Sequence, residues 1–112
     1  MRNKVKVTLV VPEALQQEMR EKIVQDGYGL RGKSQWVAEA IVQLLALPDY
    51  IELVYLSDDM QGFGTAETIT IEQSIKAALD NATIAIRKVY PVVEGVQSRI
   101  IRTSIMQRLL RT

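Results

Sequence analysis

The sequence predicts a mainly α chain with two short strands, ordered as a tandem repeat of strand, helix, turn and helix. Three observations carry that prediction. A segment near the N-terminus alternates at the two-residue period of a strand, amphipathic segments with helical spacing follow it, and the same order returns after residue 66.

The first strand is predicted over KVKVTLVV, Lys4 to Val11, where Val5, Val7, Leu9 and Val11 fall on one face. Lys4, Lys6, Thr8 and Val10 fall on the other. Pro12 suits the first position of a helix, and PEALQQEMREKIVQDG places Leu15, Met19 and Ile23 on one stripe. Gly27, following Asp26, is a natural C-terminal stop. After a turn, SQWVAEAIVQLLALP repeats Trp36, Val37, Ala40, Ile41, Leu44 and Leu45 at helical spacing until Pro48.

The second copy aligns in two pieces. At an offset of sixty, TITIEQSIKAAL lies on TLVVPEALQQEM, bringing Ile69, Ile71, Ile75 and Leu79 onto Leu9, Val11, Leu15 and Met19. At an offset of sixty-four, QSRIIRTSIMQRLL lies on KSQWVAEAIVQLLA, pairing Ser98 with Ser34, Ile100 with Trp36 and Ile105 with Ile41. The four extra residues belong around YPVVEG, where Pro91 ends a long helix that starts near Gln73. The predicted organisation is repeat 1 over 1–48, an acidic connector over 49–65, and repeat 2 over 66–112, with both repeats in one compact unit. A strand and two small helices leave an apolar face bare, and a second such unit can bury it. Within the connector, YIELVYL fits a strand and a short helix equally well, and Trp36, Ile41, Leu45, Ile100, Ile105 and Leu109 are assigned to the core.

Composition narrows the chemistry. With no cysteine and no histidine, disulfides, thiol nucleophiles, zinc fingers and histidine-based catalysis are excluded. The expected protein is no enzyme and takes no cofactor and no metal; Asp58 and Asp59 are read as solubilising the connector. No apolar run reaches the ~18 residues of a membrane span, and the opening MRNKVKVTLVVPEAL is too short in apolar residues for a secretory signal, so a cytoplasmic location is expected. The net charge of +1 hides a pattern: residues 1–48 carry seven basic and five acidic side chains, residues 49–66 none and four, residues 67–112 seven and four. Two mildly basic halves flank an acidic middle, which is compatible with nucleic-acid binding.

One motif points elsewhere. GYGLRGKS, Gly27 to Ser34, spells the phosphate-binding pattern G-x-x-x-x-G-K-[ST]. Such a loop needs a buried strand in front of it, and the residues before Gly27 read as helix. A glycine-rich turn between two helices is the expectation, with a small nucleotide binder using Lys33 and Ser34 as the remote alternative.

The order of strand, Pro-started helix, turn and helix over residues 4–48 and again over 66–112 resembles the ribbon-helix-helix family of DNA-binding proteins, in its tandem single-chain subtype. That resemblance implies an antiparallel two-stranded ribbon with a pseudo-two-fold arrangement, entering the major groove of double-stranded DNA. It implies base contacts from Lys6, Thr8, Val10, Thr68 and Thr70 on the outward faces, with Ala66 beside Val10 and Thr70 beside Lys6. It implies phosphate contacts from Lys4, from Lys33 and Ser34, and from Gln97, Ser98, Arg99 and Arg102. Ser34 and Ser98 as simple helix caps are the alternative for those positions. The role expected is that of a transcriptional regulator or an accessory protein of conjugative DNA processing, as a monomeric pseudo-dimer or a higher homo-oligomer on DNA. The alternative is a protein-interaction module on the same scaffold, docking partners through residues 50–59.

Overall fold

A computed structural model describes residues 3–29, 32–57 and 64–111 of the chain. Its elements run β1 (Lys4–Pro12), α1 (Glu13–Gln25), α2 (Lys33–Leu45), α3 (Tyr50–Leu56), β2 (Gly64–Glu72), α4 (Gln73–Val89) and α5 (Val96–Leu110). The described part is mainly helical, and its two strands pair antiparallel in one sheet.

Alternation explains the strands. Val7, Leu9 and Val11 of β1 and Ile69 and Ile71 of β2 are at most 2% exposed, while Lys6, Thr8 and Val10 between them face solvent. The register centres on Thr8 opposite Thr68, which sets Lys6 beside Thr70 and Val10 beside Ala66. All seven elements contribute to a single cluster of buried apolar residues, in which Trp36, Met19, Leu79, Ile86, Ile100 and Ile105 are among the largest members. Of the residues expected in the core, Leu45 and Leu109 are only partly buried and pack against its edge. Leu44 and Ile101 are fully buried instead, since the buried stripe of each helix is centred about one residue away.

Local signals account for most boundaries. Pro12 keeps an extended conformation (φ −58°, ψ 144°) and caps α1 rather than starting it, so the helix begins at Glu13. At the other end of α1, Gly27 takes φ +82°, its N–H bonds the Val24 carbonyl at 3.0 Å, and the Tyr28 N–H bonds the Ile23 carbonyl at 3.1 Å. This is a Schellman closure, which a left-handed glycine makes inexpensive. Thus helix, not strand, precedes Gly27, and the sheet-to-turn entry of a nucleotide loop is missing there; Leu30 and Arg31 inside the motif lie outside the described residues.

YIELVYL is helical. A seven-residue helix is marginal by itself, and α3 is held by its surroundings: Val54 is fully buried and the Tyr55 and Tyr90 rings stack with centroids 3.7 Å apart. Asp58, Asp59 and Gly62 of the connector lie outside the described residues.

Inner and outer strand positions should respond differently to truncation. Ile69→Ala is expected to cost about 2–5 kcal/mol, as large-to-small core changes do, and Val10→Ala within about 0.5 kcal/mol, as at ordinary surface sites. Urea denaturation of both variants measures this; equal costs would contradict the sheet's orientation.

Candidate nucleic-acid interface

Strand parity builds the outward face of the ribbon. Lys6, Thr8 and Val10 from β1 and Ala66 and Thr68 from β2 are exposed, and Thr70 is half-buried. The Thr8 and Thr68 hydroxyls lie 3.5 Å apart at the centre. The two ends differ in chemistry: Lys6 with Thr70 offers a long donor and a hydroxyl, Val10 with Ala66 offers methyl groups. Beyond Lys6, Lys4 pairs with Glu72, so that end of the ribbon carries an acid as well as two lysines.

The first turn of α2 and the second turn of α5 reach the two edges of this ribbon. Ser34, in the first turn of α2, accepts the Thr70 N–H at 3.0 Å, and Arg102 of α5 donates to the Val10 carbonyl at 3.3 Å. Of the residues expected to anchor phosphate, Lys33, Ser34 and Arg102 therefore stand beside the strands, whereas Gln97 lies against α4 and Arg99 against α3, and most of these side chains have partners within the chain. Lys33 is bound to Glu67 at 2.5 Å, Gln97 accepts from Lys76 at 3.0 Å, and Arg99 donates to the carbonyls of Val54, Tyr55 and Ser57 at 2.7–2.9 Å. Arg99 thereby satisfies the last carbonyls of α3, at the end of the helix that favours a cation. Ser98 is half-buried, and Lys4 is exposed. Neither serine is a helix cap: Gly32 and Gly95 occupy those positions, and neither helix has a side-chain cap bond or an acid in its first turn. Among the described residues, no side chain is bonded to the backbone donors of either first turn.

Two features escape the periodicity reading. Glu67 points inward between Ile69 and the strand's start, nine-tenths buried, and its carboxylate is shared by Lys33 and by Arg20 at 3.6 Å. A buried acid needs such partners. The parity of Ile69 and Ile71, extended backwards, would have placed it inside. The second is a network around the turn after α1. Trp36 is fully buried, and its indole N–H reaches Asp26 at 3.0 Å. Arg108 lies over the Trp36 ring at 4.7 Å and the Tyr28 ring at 5.5 Å. It also donates to the Trp36 carbonyl at 2.7 Å and the Tyr28 hydroxyl at 2.9 Å, while Tyr28 donates to Glu39 at 2.8 Å. Gly32 closes the turn so tightly that a Cβ there would sit 2.5 Å from the Tyr28 carbonyl oxygen. The repeat offset lays Arg108 on the buried Leu44, the one hint of this network in the sequence.

Among the described residues no group of acids is placed to hold a metal ion, and no helix is long and apolar enough to cross a membrane. Comparison with protein-family models, with curated proteins and with solved structures returned no match.

The hydrogen bond from Trp36, reinforced by Lys22 and Arg108, holds the Asp26 carboxyl below its ordinary value against the opposing effect of desolvation. A lowered folded pKa contributes stability above the ordinary carboxylate range and loses it as pH falls through the folded value. The stability gap between the parent and Asp26→Asn should be largest at neutral pH and close in acid, measured by thermal melting across pH. A gap independent of pH would contradict the assignment.

Proposed function

We propose that the chain binds double-stranded DNA through the outward face of the β1–β2 ribbon, as a tandem ribbon-helix-helix protein in which one chain supplies both halves of a pseudo-two-fold unit. The observation that carries this reading is the two-sidedness of the ribbon. Its inner face is buried under helices, its outer face is free and polar at the centre, and a two-stranded ribbon of this kind fits the major groove. The element order supports the repeat: the strands begin sixty residues apart, each runs directly into a helix, and a second helix follows.

In this reading Lys6 donates to guanine O6 or N7, Thr8, Thr68 and Thr70 accept from or donate to base edges, and Val10 and Ala66 pack on thymine methyls. Because the two ends are unlike, the unit site is non-palindromic. Phosphate binding falls chiefly on the backbone N–H groups opening α2 and α5, which no side chain caps and no first-turn acid neutralises. Lys4 adds charge at one end, and Lys33, Ser34, Gln97, Ser98, Arg99 and Arg102 shape the anchor regions. Both a regulator and a conjugation accessory factor use such a surface.

A second reading, a protein-interaction module that has lost base readout, is favoured by one specific observation: Lys33, Gln97 and Arg99 are all engaged inside the chain. The partner surface would then be α3 and the connector.

Selection from a random duplex library at two salt concentrations separates the readings. DNA binding predicts an enriched asymmetric motif and a slope of log affinity against log salt of about −0.9 for each neutralised phosphate. Lys6→Ala with Thr70→Ala should cost specific binding about tenfold or more and weaken non-specific binding less. Absence of retained DNA at low salt would overturn the proposal in favour of the interaction module.

A further inference from the structure

We propose that the groove beside β2 is a docking site for an arginine side chain carried by a partner protein. The groove encloses about 660 Å³ between α2 and the junction of β2 with α4, and its lining includes Lys4, Ser34, Ala38, Glu39, Thr70 and Glu72. The Glu39 carboxylate on that lining suits a cationic guest. The volume exceeds that of one side chain and leaves room for the backbone on either side of it.

The chain supplies its own precedent for the guest. Arg102 stands sixty-four residues after Ala38, at the corresponding position of α5, and its guanidinium donates to the carbonyl of Val10. Val10 in turn stands sixty residues before Thr70. The Thr70 N–H turns away from β1 to reach Ser34, so Thr70 and Lys6 form the kind of antiparallel pair whose backbone groups point outward. The Thr70 carbonyl accordingly lies on the groove side, as the Val10 carbonyl lies on the Arg102 side. Where one half of the chain has an arginine against this strand edge, the other has the short, nearly buried Ala38 and open space. A partner's guanidinium enters that space, donates to the Thr70 carbonyl, and meets the Glu39 carboxylate, whose bond from Tyr28 leaves acceptor sites unused.

The equivalence of Ala38 and Arg102 rests on the repeat reading proposed above. The test is a nitrogen-15 NMR titration with a blocked tripeptide carrying a central arginine between glycines, with a norleucine peptide as control. The arginine peptide is expected to shift the amides of Ala38, Glu39 and Thr70, and the norleucine peptide to leave them unmoved. Ala38→Arg, which fills the groove from within, should abolish the shifts. Glu39→Gln, which keeps an acceptor for Tyr28, should weaken binding about tenfold through loss of the charge-assisted bond. No shifts, equal shifts with norleucine, or shifts that survive both substitutions would overturn the proposal. Arg102→Ala separates its failure from that of the repeat reading: new shifts at Val10 in this variant, with none at Ala38 in the parent, uphold the repeat and overturn the groove.

Discussion

Neither strand of this chain can bury its apolar face without the other. Val7, Leu9 and Val11 on β1 and Ile69 and Ile71 on β2 meet the helices only when the strands lie side by side, sixty residues apart in sequence. The antiparallel register centred on Thr8 and Thr68 decides several things at once. It unites the residues of all seven elements into one core, and it brings the first turn of α2 and the second turn of α5 to the two edges of the ribbon. It also turns six small or polar side chains outward. A slip of one residue would exchange the inner and outer sets, so burial of the isoleucines protects the surface on which the functional proposal stands.

Charged groups serve the architecture as much as the surface. Glu67 occupies an inner position that an apolar residue would ordinarily hold, and its carboxylate draws Lys33 of α2 and Arg20 of α1 to β2. Such a pair contributes little net stability, but it joins three elements at one point and penalises any arrangement that parts them. Arg99 has the same role for α3, through three main-chain carbonyls, and Arg108 for the turn after α1, through Trp36 and Tyr28. Interior demands on these cations bear on the proposed DNA surface, because under that proposal phosphate binding would fall on the backbone of two helix starts rather than on side chains. A weakly basic chain is consistent with that division.

The strands and the long helices were readable because period, proline and glycine signals agreed. Val5 to Val11 alternate, Leu15, Met19 and Ile23 form a stripe, Gly27 ends α1, and Pro91 stands two residues beyond the end of α4. The pairing of Lys6 with Thr70 and of Val10 with Ala66 is the one expected for the antiparallel ribbon that the resemblance implies. What escaped depended on contacts between distant elements. YIELVYL carries no period long enough to separate a strand from a helix, and its helix depends on Arg99 and Tyr90, more than thirty residues away in the chain. The engagement of Lys33 required knowing that Glu67 turns inward. For Ser34, a cap position was a reasonable expectation, but Gly32 opens the helix two residues earlier and frees the hydroxyl for the Thr70 N–H.

The central claim is that the outward face of the ribbon, together with the first turns of α2 and α5, is where DNA lies. Amide shift mapping of the whole chain during titration with a duplex tests this most directly. The account predicts that the largest shifts fall on Lys6, Thr8, Thr68 and Thr70 and on the amides that open α2 and α5, while α3 stays unmoved. Shifts concentrated on α3, with the ribbon silent, would contradict it.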